Sequence, residues 1–147
     1  DTQLNKINKK EKFRKIIFSP GDFGTQNIIV KKNNLFFFDF EHSGKDSIVK
    51  FLCDFLLHPQ NMIINTKQKT VLIKKLLKSK TLDKTDIKLC INNIYFFHLR
   101  WSLIILNSFF KEEHSSLKTL IKKISLIRKN KILTINIKRQ LYDNFIR

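Results

Sequence analysis

The stretch FSPGDFGTQNIIVKKNNLFFFDFEHSGKD, residues 18–46, decides how this chain is read. Pro20 interrupts regular structure, and Gly21 and Gly24 permit backbone angles closed to other residues, so residues 20–26 read as a loop. The KIIF before it, residues 15–18, reads as a short strand. Beyond the loop, residues 28–30 and 35–38 read as the arms of a hairpin, with Lys32, Asn33 and Asn34 as its turn. A turn centred on Asn33 opposes Val30 to Phe36, Ile28 to Phe38 and Asn27 to Asp39. Directly opposed side chains share one face with Cβ atoms about 5 Å apart. The spacing therefore predicts an Asn and an Asp side by side at the open end of the hairpin. A slip of one residue in register removes that pairing. Asp39 stands inside the apolar run LFFFDF, where an ionised carboxylate is costly to bury without a partner. A metal ion is the partner expected for it.

From Ser47 onward the hydrophobic period changes to that of a helix. Ile48, Phe51, Leu52, Phe55 and Leu56 form one stripe, which Pro59 ends. A second helix is expected to gather Val71, Leu72, Leu76 and Leu77. A long third one, capped by Asp83, runs from Lys84 to about Phe109 with Ile87, Cys90, Ile91, Ile94, Phe97, Trp101, Ile104 and Ile105 inward. Ser115 or Ser116 opens another as far as Lys129, and a last one covers about 135–145. Residues 3–14 are polar and basic, with room for a short helix. The class expected is α+β and mostly helical: a small β-hairpin and loop followed by a helical bundle, in a single domain over residues 1–147.

The chain carries 29 Lys and Arg against 12 Asp and Glu, a formal net charge of +17. Such charge invites a nucleic-acid reading. Against it, Lys outnumbers Arg and is scattered along the chain, and Lys, Ile, Asn and Phe are abundant together, as in AT-rich coding. Nucleic acid is therefore disfavoured as a partner. Cys53 and Cys90 are isolated, with no CxxC and no paired His, so buried free thiols and a reducing cytoplasm are expected, without zinc. No run of about 18 uncharged apolar residues is present, so no membrane span is expected. Oligomeric state is not legible.

Asp22, Asn27 and Asp39 form a D-x4-N-x11-D set suited to phosphoryl transfer. Mg²⁺ takes oxygen ligands from one or two side chains and completes its shell with phosphates and water. Asn27 and Asp39 supply such ligands. Asp22, on the preceding loop, can orient an attacking hydroxyl and accept its proton.

At these residues the chain resembles the C-terminal lobe of the aminoglycoside phosphotransferase and choline kinase-like family, within the protein-kinase-like fold. That family carries H-G-D-x-x-x-x-N, a hairpin, an I-D-[FW]-[EGD] segment and then G-x-x-D-P. This chain has PGDFGTQN, FFDFE and SGKDS. The resemblance implies Asp22 as catalytic base, Asn27 and Asp39 as Mg²⁺ ligands and Asp46 as a structural acid. It also implies ATP as phosphoryl donor and a small hydroxyl compound as acceptor. KFLCDFLLHP and RWSLIILN are similar to a bacterial subgroup of this family linked to cell-surface sugar metabolism, which extends the acceptor to a sugar or a polysaccharide precursor.

Two departures stand out. The family's His, which props the loop through hydrogen bonds, is Pro20 here. The nucleotide-clamping N-lobe is absent as well: there is no Gly-rich strand-turn-strand and no strand Lys with a helix Glu. The chain therefore reads as a C-lobe fragment expected to bind ATP weakly or not at all alone. The alternative is a non-catalytic kinase-like remnant or a basic nucleic-acid-binding module.

Several residues carry two readings. Glu41 is a second metal-side acid or an exposed loop residue. Asp46 caps the helix that follows. Asp54 pairs with Lys50 or lines a substrate cleft. His42, His58, His98 and His114 lack metal spacing and read as structural or solvated, with His58 ending a helix near the cleft. Trp101, beside Arg100, reads as core more readily than as a substrate wall.

Overall fold

The computed structural model describes residues 15–110 and 116–147, without the side chains of Ser108 and Phe109. The short helix read in residues 3–14, the cap at Ser115 and His114 lie outside them. Four strands come first: β1 (Ile16–Ser19), β2 (Ile28–Lys31), β3 (Asn34–Phe37) and β4 (Gly44–Ser47). Four helices follow: α1 (Ile48–Leu57), α2 (Thr66–Lys78), α3 (Lys84–Phe110) and α4 (Leu117–Phe145). The class is α+β and mostly helical, as expected, with two separate two-stranded antiparallel sheets. β1 pairs with β4, and β2 pairs with β3. The strand β4, unread in the sequence, closes the ends of the loop-and-hairpin segment and runs directly into α1.

The hairpin register differs from expectation by one residue. Ile28 faces Phe37, Val30 faces Leu35 and Lys31 faces Asn34. The turn is the two-residue Lys32–Asn33, with Lys32 at φ 55°, so Asn34 joins the strand instead of the turn. A two-residue loop favours positive φ because its twist matches that of the strands. The slip sets Asn27 opposite Phe38, whose amide donates to the Asn27 carbonyl at 3.2 Å. The direct Asn27–Asp39 opposition is lost.

The helices form where their caps and stripes place them. Ser47 Oγ accepts the amides of Val49 and Lys50 and caps α1. Asp46, expected as the cap, instead accepts the Ser47 amide at 2.8 Å and pairs with Lys50. Asn65 and Gln68 form a capping box on α2, the reciprocal arrangement that satisfies two orphan amides. Asp83 Oδ1 accepts the amides of Thr85 and Asp86 at the start of α3. Ser116 caps α4. Of the residues expected inside α2, Val71 is exposed; Ile73 and Lys69 are the residues buried there.

The core is α1 enclosed by α2, α3 and α4. Ile48, Val49, Leu52, Cys53, Leu56 and Leu57 meet Ile73, Ile87, Cys90, Ile94, Ile137 and Leu141. Of the residues expected inward on α3, Ile104 is exposed. Burial of α1 on nearly every side creates a problem at its C-terminus, where the last carbonyls lack helical partners. The His58 N–H closes the final helical bond, to the Asp54 carbonyl at 2.8 Å. The next three carbonyls each find a donor from a different place: Asn61 Nδ2 to Phe55 at 2.9 Å, Lys69 Nζ to Leu56 at 2.8 Å and Asn130 Nδ2 to Leu57 at 3.0 Å. Asn130 and Thr134 fall where the sequence suggested a break between two helices. The structure has one helix there: Asn130 reaches α1, and Thr134 Oγ1 donates to the Asn130 carbonyl at 2.8 Å.

The segment Lys84–Asn107 is long and apolar enough, by length and composition, to cross a membrane. The sequence criterion of an uninterrupted uncharged run did not pick it out. Its first half carries Ile87, Cys90, Ile91 and Ile94, which are packed in the core.

Candidate functional site

The loop between β1 and β2 is held at several points. Ser19 is buried, and its Oγ accepts the Gly21 amide at 3.1 Å. The Asp22 amide donates to the Pro20 carbonyl at 3.0 Å. Gly21 adopts φ 80°, and a Cβ there would meet the His42 carbonyl oxygen at 2.2 Å. Gly21 thus lets the loop lie against the backbone of the segment that follows Asp39. Asn61, in the 3₁₀ turn Pro59–Ile63, is fully buried. Its Oδ1 accepts the Thr25 amide at 2.9 Å, and its Nδ2 donates to the carbonyls of Phe23 and Phe55, both at 2.9 Å. Thr25 Oγ1 donates to the Gln60 carbonyl at 2.7 Å. The Phe23 ring packs on Phe37, Phe51 and Phe55, with centroids 5.3–5.6 Å away. Loop, hairpin and α1 therefore meet at the residue after Asp22.

Asp22 projects from this pinned loop with its side chain about a third exposed. His58 Nε2 lies 2.8 Å from Asp22 Oδ1. Gln26 Nε2 and Asn27 Nδ2 stand 3.2 and 3.4 Å from Oδ2. Asn27, buried at the end of the 3₁₀ turn Thr25–Asn27, also donates from Nδ2 to the Asp22 carbonyl at 3.1 Å. Its amide nitrogen is thereby committed to Asp22, which leaves Oδ1 as its free oxygen.

Asp39 is not where the sequence argument put it. It lies past the end of β3, at φ 64°, a left-handed conformation that Asp tolerates better than most residues. It is exposed, and its neighbours Phe38 and Phe40 are 44% and 49% exposed. The premise of a carboxylate buried among phenylalanines therefore fails, because the hairpin presents both of its faces to solvent. Ile29, Val30, Leu35 and Phe36 are exposed too. What remains is position: the Phe38–Asn27 hydrogen bond sets Asp39 one residue beyond the partner of Asn27.

Among the described residues no group of three or more His, Cys, Asp or Glu is placed to hold a metal ion. A Mg²⁺ ion asks for less: one or two protein oxygens, the rest from phosphates and water. Among the described residues neither the amide oxygen of Asn27 nor the carboxylate oxygens of Asp39 have a partner, and both groups are chemically suited to that share.

The remaining acids divide. Glu41 is an exposed loop residue 3.3 Å from His42. Asp46 ties the end of β4 to Lys50. Asp54 is buried and accepts from Arg100 Nη1 at 2.6 Å, from Trp101 Nε1 at 3.1 Å and from Lys50 at 3.2 Å. Burial raises its pKa, and the two cations oppose that without cancelling it. Burial also acts to lower the Lys50 pKa, but the carboxylates of Asp46 and Asp54 outweigh it and leave it raised.

His58 is the residue that sequence reasoning placed near the cleft without giving it a role. It is buried, and burial lowers its pKa although Asp22 pulls the other way. Trp101 packs edge-on against it, centroids 4.5 Å apart, and Arg100 lies over the Trp101 ring at 5.5 Å. A cleft of about 480 Å³, lined by Phe96, Leu99, Arg100, Leu103 and Ile104, opens on the α3 surface beside Arg100. The sequence signal available was the pairing of HP at the end of α1 with RW on α3, one turn of which reaches His58. Compared with known proteins, the chain matches no family model, no curated protein and no solved structure.

Proposed function

We propose that the chain supplies the catalytic loop and acceptor site of an ATP- and Mg²⁺-dependent phosphotransferase acting on the hydroxyl of a small molecule. The acceptor class is a sugar or a precursor of a cell-surface polysaccharide. The observation that carries this reading is the Asp22 carboxylate, held at 2.8 Å by His58 on a loop anchored by Asn61. Oδ1 is taken by His58, Oδ2 carries only the longer contacts from Gln26 and Asn27, and the side chain still reaches solvent.

In this reading Asp22 accepts the proton of the attacking hydroxyl and aligns its oxygen. Bound Mg²⁺ neutralises charge on the phosphates of ATP. Asn27 Oδ1 and the Asp39 carboxylate would be the protein's share of its ligands. Gly21 keeps the base loop close to the segment carrying Asp39, and Phe23 fixes the loop against the hairpin and α1. The test is Asp22→Asn in the full-length protein. Turnover should be lost while nucleotide binding is kept; near-normal turnover would refute the assignment.

A second reading is a basic binding module or a kinase-like remnant. Its support is charge: between Ile87 and Tyr142 the only acidic residues are Glu112 and Glu113. A nucleic-acid binder would lose affinity steeply with added salt.

A further inference from the structure

Asp22 has a partner, His58, whose own part in the chemistry the phosphotransfer reading leaves unassigned. His58 ends α1, is buried, and points Nε2 at Asp22 Oδ1 from 2.8 Å. Its other nitrogen settles its protonation. Nδ1 accepts the amide N–H of Gln60 at 3.1 Å, so Nδ1 carries no proton. A neutral imidazole then carries its single proton on Nε2. That N–H donates to Asp22. With both ring nitrogens committed, His58 has no free site at which to take a proton from a substrate or give one. A His–Asp dyad with imidazole as the base is excluded by the same geometry.

The ring is also held in place. Trp101 packs on it edge-on at 4.5 Å and 69°. Trp101 is anchored by its Nε1–H to Asp54 at 3.1 Å, and Asp54 is clamped by Arg100 and Lys50. A run of contacts thus leads from α3, across the end of α1, to the carboxylate on the loop. A histidine serving only to cap the turn Pro59–Ile63 would need Nδ1 alone.

We propose that His58 is the positioning residue for Asp22: it ties down Oδ1 and turns Oδ2 toward the acceptor hydroxyl. The proposal rests on the reading of Asp22 as the base. Oδ2 has only the longer contacts from Gln26 and Asn27, at 3.2 and 3.4 Å. Without the His58 bond only these longer contacts restrain the carboxylate about its side-chain torsions. A base displaced by about 1 Å can lose on the order of a hundredfold in rate.

The experiment measures phosphate release from Mg·ATP by the full-length protein, with water as the acceptor probe. His58→Ala should lower kcat by about tenfold to a hundredfold and leave the KM for ATP within about twofold of wild type. His58→Gln, which can donate from a similar place, should recover most of the loss. Asp22→Asn is the control for the underlying reading. If Asp22→Asn retains turnover, or wild type has none, the phosphotransfer reading falls and the proposal falls with it. If Asp22→Asn is inactive while His58→Ala keeps the wild-type kcat, the proposal alone is overturned. If His58→Ala does not fold, long-range ¹H–¹⁵N spectra of the wild-type protein decide. A neutral ring protonated at Nε2 that responds to Asp22→Ala is expected; a ring protonated at Nδ1, or one indifferent to that change, overturns the proposal.

Discussion

The carboxamide oxygen of Asn61 accepts the backbone amide of Thr25 at 2.9 Å, while its nitrogen donates to Phe23 and Phe55. One buried side chain thereby joins the end of α1 to the loop that carries Asp22. Asn61→Ala removes three hydrogen bonds and leaves buried groups without partners. The expected cost is about 3 kcal/mol of stability in chemical denaturation. Amide exchange at Thr25 should accelerate in the same variant. A loss below about 1 kcal/mol would mean that the loop is held by something else.

Gly21 is replaceable only at a cost. Its φ of 80° disfavours any side chain, and a Cβ would lie 2.2 Å from the His42 carbonyl oxygen. That atom is backbone and cannot swing aside. Gly21→Ala should destabilise by about 2 kcal/mol or more and separate the Asp22 loop from the Asp39 segment. Gly44→Ala has open space around it and serves as the control, with little change in melting temperature expected.

Lys69 is 1% exposed, donates to the Leu56 carbonyl and has no carboxylate partner among the described residues. Burial lowers its pKa from 10.5 to about 8. Below pH 8 the group is charged in folded and unfolded states alike, and the native state bears the cost of the buried ammonium. Between 8 and 10.5 the unfolded chain binds more protons, so this group makes stability rise with pH. The full interval corresponds to about 3 kcal/mol. Compared with Lys69→Met, the wild type should gain about that much between pH 7 and 11, measured as the difference between denaturation curves. Equal pH slopes in both proteins would contradict it.

Cys53 and Cys90 place their sulfurs 3.2 Å apart between α1 and α3, both fully buried. Burial first, then the neighbouring thiol and the Asp54 charge, raises the Cys53 pKa well above its usual value. The thiolate is the reactive form. Both thiols should resist Ellman's reagent at pH 8 in the native protein and react together on unfolding. Rapid modification of either one in the native state would show that α1 and α3 separate.

If Asn27 and Asp39 share the metal, Asn27→Ala and Asp39→Ala should each raise the Mg²⁺ concentration for half-maximal turnover about tenfold or more. Asp46→Ala, whose carboxylate is engaged with Ser47 and Lys50, should leave that concentration unchanged. Titration of Mg²⁺ at fixed ATP reads the difference.

Much of this was legible in local sequence. The loop at Pro20, Gly21 and Gly24, the hairpin's existence, the α1 and α3 stripes and the caps at Asp83 and Ser116 follow from residue chemistry that acts over a few positions. The hairpin register was not legible. Lys32 in a left-handed conformation makes a two-residue turn, and nothing in KKNN forces that over a turn centred on Asn33. The continuity of α4 was hidden for a different reason. Asn130 and Thr134 look like helix breakers until the α1 carbonyl that Asn130 reaches is in view.

By itself the sequence determined the loop, the existence of the hairpin, the first three helices and the Asp22 and Asn27 spacing, because period, caps and turn residues act through neighbouring atoms. Tertiary structure alone decided that Asp39 is exposed, that Lys69 is buried, and that His58, 36 residues from Asp22 along the chain, holds its carboxylate. Those outcomes depend on which helix end packs against which loop. That choice is made by the carbonyls and apolar faces that α1 must satisfy on every side at once.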